Sequence, residues 1–237
     1  MTRELWSRRI DALGQFRVID PAAPVLAKDD EHHLRTVLRA KAGEEVVVTN
    51  GAGDWSLCEV TPQGLTLVSD VLHDEEPVST TLYLAPLKGD RSEWAVAKAT
   101  ELGVRRIVPL LSQRVVVKFK GETKDKVLRR WQRIADEACG QSRRTYDVRI
   151  EDPVHVRDVP VNVAVCDFGG KNDWANVHEV AIGPEGGWDP DEWGQGRRTL
   201  SLGPTVLRGE TAAVAAATLL SFSSGGWAMP APEGQNG

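Results

Sequence analysis

The pattern of apolar and polar residues divides the chain into two parts. Short runs rich in β-branched residues dominate residues 16–72, and polar turns separate them. One turn contains Asn50-Gly51, which between two apolar runs is a strong hairpin signal. The pattern predicts strands at 45–50, 55–60 and 64–71 and one helix at 30–38. Together these elements indicate a small β-barrel-like domain.

After a polar linker that ends at Pro77, apolar runs alternate with longer amphipathic segments. Strands are predicted at 82–86, 106–111, 161–165, 180–182 and 200–202, and helices at 92–102, 126–139 and 211–222. We expect Ser92 to cap the first of these helices and Gly103 to end it. This alternation predicts an α/β fold with a mainly parallel sheet covered by helices on both faces. The predicted domains are 1–75 and 78–223, followed by a flexible tail at 224–237.

Composition narrows the class of protein. The 237 residues are 41% hydrophobic and 27% charged, which is typical of a globular chain. The longest apolar run, 212–220, is too short for a membrane span, and the charged start does not resemble a signal peptide. Three separated cysteines favour a reducing cytoplasm. The five histidines lie in no ligand spacing, so we expect no metal site.

Charge is unevenly distributed along the chain. The net charge is −5, yet residues 81–150 contain 16 Lys and Arg against 8 Asp and Glu. The densest basic part lies at 118–133. A basic band in an otherwise acidic protein is typical of a polyanion-binding surface. The alternative is a solvated helix face without a ligand.

Two loops rich in glycine and proline follow predicted strands in the second domain. One begins Ile182-Gly183-Pro184-Glu185-Gly186-Gly187, and the other runs from Leu202-Gly203-Pro204 to Thr211. Ligands of parallel sheets bind beyond the carboxyl ends of the strands, and glycine allows the backbone to approach them closely. Neither loop matches a phosphate-binding motif. Ordinary turn chemistry would explain either loop alone, but the occurrence of two such loops favours a binding site.

Four motifs in order make the chain resemble a known family. They are Lys88-Gly-Asp-Arg with Lys98-Ala-Thr-Glu101-Leu-Gly103, then Glu137-Ala-Cys-Gly-Gln141-Ser142-Arg-Arg144, and then the two loops, the second containing Leu207-Arg208-Gly-Glu210-Thr211. The chain resembles the bacterial small-subunit ribosomal RNA uridine N3-methyltransferases of the SPOUT superfamily, and its β domain resembles a PUA-like RNA-binding barrel. The resemblance implies a trefoil-knotted fold, S-adenosylmethionine as cofactor, a homodimer, and 16S rRNA of the small subunit as substrate.

The resemblance also implies a set of site residues. The cofactor would be held by Ile182, Gly183, Pro184, Glu185, Gly186, Gly187, Leu202, Gly203, Leu207, Arg208, Glu210 and Thr211. Arg208 is the candidate to stabilise negative charge on the uracil carbonyls, and its alternative role is an exposed ion pair with Glu210. Glu101 and Glu185 are candidates to accept the N3 proton, although Glu185 could instead only fix its loop. RNA contacts are predicted at Arg35, Arg39, Lys88, Arg114, Lys118, Lys120, Arg143 and Arg144.

The sequence departs from the family pattern at three places. Thr205 stands where an arginine is common, Val115 replaces a usual serine, and residues 146–148 replace a more typical Arg-Val-Pro. These departures affect expected RNA or cofactor contacts and leave the glycines and Arg208 intact. Two alternative functions stay open: a SPOUT methyltransferase that acts on tRNA, and a non-catalytic RNA-binding or ribosome-assembly protein.

Overall fold

The computed structural model describes residues 2–115 and 122–225, which form two compact units. The described part of the first unit comprises residues 2–76 and 139–147. The second comprises residues 77–115, 122–138 and 148–225. Within these described residues, no helix combines the length and the apolar character needed to cross a membrane.

The first unit is built on a five-stranded sheet in which β1 and β2 are parallel and the other pairs are antiparallel. Its elements are α1 (Arg3–Asp11), β1 (Gln15–Arg17), α2 (Lys28–His32), a π-helical turn (His33–Val37), β2 (Glu45–Thr49), β3 (Asp54–Thr61), β4 (Gly64–Leu67) and β5 (Leu72–His73). Side chains alternate across a strand, and here both faces are covered. Val46 and Val48 pack with Phe16 and Leu34, whereas Val47 packs with Trp55 on the other face.

Several elements of this unit differ from the prediction. The pattern did not indicate α1, because α1 is mostly polar and its one buried residue is Arg9. The Arg9 guanidinium lies 4.5 Å from the centroid of the Trp55 ring and forms a 2.8 Å ion pair with Asp74. The predicted helix at 30–38 is instead α2 followed by the π-helical turn.

Residues 139–147 lie in the first unit, although the sequence pattern indicated only the second domain there. The Gly53 N–H donates to the Thr145 carbonyl, and the Asp147 N–H donates to the Gly51 carbonyl, both at 3.0 Å. These are backbone contacts between distant parts of the chain. They have no hydrophobic periodicity that a sequence reading could detect.

The second unit contains a seven-stranded sheet in which every pair is parallel. The strand order is β12-β10-β11-β6-β7-β8, with β9 also paired to β7. Its elements are β6 (Thr81–Leu84), α3 (Arg91–Glu101), β7 (Arg106–Leu111), α4 (Glu122–Gln141), β8 (Arg149–Ile150), β9 (Val154–His155), a 3-10 turn (Val156–Asp158), β10 (Ala164–Lys171), β11 (Glu179–Ile182), β12 (Thr199–Leu200) and α5 (Gly209–Ser223). The predicted α/β class is confirmed.

The end of α3 agrees with the prediction, and its start does not. Gly103 follows the helix with φ +100°, the left-handed conformation expected of it. The capping position is occupied by Asp90 rather than Ser92. The Ser92 hydroxyl instead accepts from the Leu87 N–H at 2.7 Å, which ties the helix to the loop after β6.

The strand whose bounds differ most from the prediction is β10. It begins at Ala164 rather than at residue 161 and continues to Lys171. Cys166 and Lys171 both pair with Leu200, so residues 167–170 bulge out of the strand. Gly169 and Gly170 within the bulge resemble a loop in sequence, which explains the early end of the predicted strand.

Candidate functional site

A cleft opens at the carboxyl edge of the parallel sheet, where the bulge of β10 meets the loops after β11 and β12. Its volume is about 770 Å³, part of it open to solvent. Eight of the predicted cofactor residues line it: Ile182, Gly183, Pro184, Glu185, Gly187, Leu202, Gly203 and Leu207. The structure therefore brings the two predicted loops together around one space.

Packing beneath the loop after β11 explains its first glycine. A Cβ at Gly183 would lie 2.9 Å from the indole ring of Trp188. The Trp188 Nε1–H donates to the Cys166 carbonyl at 2.9 Å, and its ring meets Trp193 edge-on with 4.8 Å between centroids. Trp188 thus occupies the space that a side chain at position 183 would need. Gly187 has a different constraint, a left-handed φ of +69°.

A cluster of polar contacts fastens this loop to the segment after β7. The Glu192 carboxylate accepts the Gln113 N–H at 2.5 Å, the Ser112 hydroxyl at 3.2 Å and the Asp189 N–H at 3.2 Å. Arg114 donates to the Gly186 carbonyl at 3.0 Å. The loop after β11 is therefore held in shape by the β7 loop as well as by its own turns.

We expect Glu192→Gln to loosen this attachment. The amide nitrogen cannot accept, so at least one bond to a charged acceptor is lost, at a cost of about 1.5–3 kcal/mol. The variant should unfold at lower urea concentration and bind S-adenosylmethionine about 10-fold more weakly. Glu179→Gln, at the start of β11 and outside the cleft, is the control. Unchanged affinity in calorimetry would show that the attachment does not shape the cleft.

Arg91, the first residue of α3, lies near two carboxylates, one in the loop after β11 and one in α5. Its guanidinium lies 3.7 Å from Glu185 and 3.8 Å from Glu210. Glu185 also accepts the Lys88 N–H at 3.0 Å. The other Glu210 oxygen is buried and has no hydrogen-bond partner in the described ranges. Glu210 is thus paired with Arg91 and not with Arg208, which was the alternative role considered for Arg208.

Four predicted cofactor residues lie outside the cleft wall: Gly186, Arg208, Glu210 and Thr211. Arg208 occupies the capping position of α5, next to the wall residues Leu207 and Gly209. Its side chain is exposed, and it has no hydrogen-bond or ion-pair partner among the residues that the structure describes. An unpaired cation beside the cleft is available to a negatively charged ligand group.

Glu101 is not brought to this cleft. Arg91 begins α3 beside the cleft, and Glu101 ends the same 11-residue helix, about 15 Å away along the axis. Its carboxylate pairs with Lys98 at 2.7 Å. Of the two candidate proton acceptors, only Glu185 lines the cleft.

The predicted RNA-binding residues fall into three groups. Arg39 and Lys88 are exposed, whereas Lys118 and Lys120 lie outside the described residues. Arg35 and Arg114 are engaged within the protein, Arg35 by Glu31 at 2.9 Å and by the Thr61 carbonyl at 2.7 Å. The Arg144 backbone carbonyl accepts from the Gln15 amide at 2.6 Å.

Arg143 differs from the prediction most clearly. Its guanidinium donates to the Ala12 carbonyl at 2.5 Å and to the Gly140 carbonyl at 3.2 Å. Burial, together with the nearby Arg9, lowers the pKa of Arg143. These hydrogen bonds hold the side chain within the first unit, so it is not available to a phosphate.

Arg143→Ala and Lys88→Ala should therefore change different properties, the first the stability of the protein and the second its RNA binding. Loss of the Arg143 bonds removes a donor from the carbonyl of the buried Ala12 and should cost about 1–3 kcal/mol of unfolding free energy without altering the salt dependence of RNA binding. Lys88→Ala should leave stability unchanged and reduce the slope of log affinity against log salt by about 0.7. Urea unfolding and RNA titrations over a salt series measure the two quantities. If the two variants changed the unfolding free energy and the salt dependence of RNA binding equally, this assignment would be contradicted.

The sequence prediction missed part of the cleft wall. The additional residues are Cys166, Asp167, Phe168, Trp188, Ser201, Thr205, Val206, Gly209 and Ala212. Three of them lie within β10, which carries no motif. Burial raises the pKa of the Cys166 thiol to about 12, which keeps it neutral. Within the described residues, no group of three or more His, Cys, Asp or Glu side chains could hold a metal ion.

Comparisons with known proteins agree on one family. Residues 74–221 match the RNA methyltransferase domain model, and residues 26–68 match the RNA methyltransferase PUA domain model. A Mycobacterium bovis protein named ribosomal RNA small subunit methyltransferase E is 31% identical, over 87% of this chain and 88% of its own length. The Bacillus subtilis protein of the same name is 27% identical, over 83% and 88%.

Solved structures show the same relationship. A Legionella pneumophila protein in complex with bound SAM has a TM-score of 0.75 at 29% identity, over 88% of this chain and 97% of that one. The Neisseria gonorrhoeae ribosomal RNA small subunit methyltransferase E, bound to S-adenosyl methionine, has a TM-score of 0.69 at 26% identity, over the same shares. With an RNA methyltransferase domain, a PUA domain and these relatives, the chain belongs to the ribosomal RNA small subunit methyltransferase E family.

Proposed function

We propose that the protein transfers a methyl group from S-adenosylmethionine to N3 of a uridine in 16S rRNA of the small ribosomal subunit. The observation that carries the proposal is the cleft at the carboxyl edge of the sheet, formed by the loops that the family motifs mark. Two related proteins of this fold hold the same cofactor in their solved structures.

The cleft residues fit this cofactor. Ile182, Leu202 and Leu207 provide apolar wall for an adenine ring, and the exposed backbone at Gly187 and Gly203 can approach its edge. The partly exposed Glu185 and the exposed Asp167 offer carboxylates for a cationic ligand. The cofactor supplies an activated methyl group, so the protein needs to position the uridine and manage one proton.

We assign two roles to side chains of the protein: one accepts that proton, and the other stabilises the negative charge that develops on the base. N3 gains the methyl group and loses its proton, for which Glu185 is the proposed acceptor because it lines the cleft. Removing the proton leaves negative charge on the uracil carbonyl oxygens. The unpaired Arg208 guanidinium, beside the cleft wall, is proposed to stabilise that charge.

RNA binding is proposed to involve both parts of the chain, the PUA-like domain at 1–75 and the methyltransferase domain at 78–223. The exposed cations Arg39 and Lys88 are the proposed phosphate contacts among the described residues. Together with Lys118 and Lys120 they would hold the backbone of a single-stranded or bulged target. Most of the predicted tail at 224–237, from residue 226 onward, lies outside the described residues.

We also propose a trefoil knot in the second domain and a homodimer through α5. This helix is apolar on most sides, yet Val214 is only partly buried, and 69% of Phe222 is exposed. A helix that is hydrophobic all round is usually covered on every side. Sedimentation at several protein concentrations, with Phe222→Asp as the variant expected to dissociate, tests the dimer.

Nucleoside mass spectrometry tests the proposed reaction. Small subunits that lack the modification, free 16S rRNA and tRNA are each incubated with the protein and S-adenosylmethionine. New N3-methyluridine in the assembled subunits is the expected result. Methylation of tRNA alone would mean that the substrate is tRNA and that the cofactor is still S-adenosylmethionine. RNA binding without methylation of any substrate would indicate a non-catalytic RNA-binding or assembly protein.

A further inference from the structure

A second cleft adjoins the cofactor cleft on the side of β10 and β12. Phe168, Ser201, Leu202 and Gly203 line both clefts. The second cleft is completed by the bulge of β10, by Asn172, by Pro204 and by Leu219 of α5. A group bound in one cleft would therefore lie beside a group bound in the other.

Phe168 is an exposed aromatic residue that the backbone holds in place. Its side chain is 66% exposed, although it sits at the mouth of two clefts. It projects from the bulge at 167–170, which arises because Cys166 and Lys171 both pair with Leu200. A β-bulge beside an active site typically redirects a side chain.

Two glycines make this bulge possible. Gly169 has φ +81°, a conformation that other residues rarely adopt. A Cβ at Gly170 would lie 2.4 Å from the Leu200 carbonyl carbon, so only glycine allows the bulge to pack against β12. The Phe168 N–H donates to the Asp167 carboxylate at 2.8 Å, which fixes the turn at its tip. The sequence thus maintains an aromatic ring at an exposed position.

The second cleft also offers a free amide. Asn172 is exposed, and its side chain has no hydrogen-bond partner within the part of the chain that the structure describes. Leu202, Pro204 and Leu219 provide apolar wall around it. An aromatic platform, an apolar wall and one unpaired amide are the features with which proteins hold a base that has left its helix.

We infer that the second cleft is the subsite for the target base, in which the uracil stacks on Phe168 and a carbonyl oxygen accepts from the Asn172 amide. The inference rests on the proposed function and deepens it. The shared wall would set the base beside the cofactor, as methyl transfer requires. Asn172 can donate to the uracil O4, where cytosine carries an amino group that cannot accept, so this contact would favour uridine.

Phe168→Ala is the main test. Base–aromatic stacking is worth about 1–3 kcal/mol, so kcat/KM for the small subunit should fall about 10- to 100-fold. Phe168→Tyr keeps the ring and should restore activity to within about 3-fold of the original. Val161→Ala, which truncates an apolar side chain of 68% exposure outside both clefts, is the matched control. Val161→Ala should bind S-adenosylmethionine as the unchanged protein does. Because Phe168 lines both clefts, Phe168→Ala should lose less affinity for S-adenosylmethionine in calorimetry than it loses in kcat/KM.

Asn172 is tested by its selectivity for the base. Asn172→Asp replaces a donor by an acceptor and should lower kcat/KM for the uridine substrate about 10-fold or more. Asn172→Gln, which keeps the amide, should lower kcat/KM by a smaller factor. Small subunits with cytidine at the target position, incubated in parallel, should remain unmethylated by the unchanged protein.

The outcomes separate this inference from the proposed function. If the unchanged protein methylates the subunit and Phe168→Ala does so at the same rate, the subsite is wrong and the function stands. If Phe168→Ala loses as much affinity for S-adenosylmethionine as it loses in kcat/KM, Phe168 acts on the cofactor alone and the inference is overturned. If the unchanged protein methylates no RNA, the proposed function itself fails.

Discussion

Arg208→Ala is expected to lower the rate of methyl transfer about 10²- to 10³-fold, the usual effect of removing one donor that stabilises developing negative charge. The reason lies in the position of this arginine. It occupies the N-cap position of α5 beside the cleft, and neither Glu210 nor any other described residue pairs with its side chain. An exposed cation without a partner contributes little to folding, so the thermal unfolding temperature should hardly change.

Two measurements distinguish this role from a general loss of binding. Calorimetry of Arg208→Ala should give an affinity for S-adenosylmethionine close to that of the unchanged protein, because Arg208 lies outside the cofactor wall. Arg157→Ala is the matched control, since Arg157 is 80% exposed and pairs only with its neighbour Asp158 among the described residues. Turnover of Arg208→Ala near the original rate would refute the proposed role.

Gly187→Val is expected to abolish cofactor binding, with an affinity for S-adenosylmethionine at least about 10²-fold lower. Gly187 combines φ +69° with a place on the cleft wall. A β-branched residue in the left-handed region costs about 1–3 kcal/mol, so the loop would leave this conformation and the cleft would lose its shape. The side chain itself would also occupy space that the ligand needs. Calorimetry measures the affinity directly.

Gly194→Val is the control for backbone strain. Gly194 has φ +65°, nearly the same as Gly187, with no atom close enough to obstruct a Cβ, but it does not line the cleft. Both variants should lose comparable stability, and only Gly187→Val should lose the cofactor. Equal loss of binding in the two variants would mean that strain in the whole 183–196 segment, and not contact at position 187, controls the site.

The sequence predicted the second unit well where the pattern was strong. The predicted strand at 106–111 is β7 with the same bounds, and α4 contains the predicted helix with Trp131 and Ala135 buried on its apolar stripe. Buried strands and amphipathic helices are recognisable because burial imposes a period on the sequence. The loops after β11 and β12 were recognisable for a related reason, since glycine and proline mark backbone conformations that other residues avoid.

What the sequence by itself determined is therefore the class of fold, the family and the two loops of the cleft. The tertiary structure alone decided which side chains are free to act. It brought Phe168 to the cleft through a bulge, paired Glu210 with Arg91, left Glu101 at the far end of α3 and committed Arg143 to backbone carbonyls. These outcomes depend on contacts between residues distant in the chain, and such contacts leave no local period or motif in a single sequence.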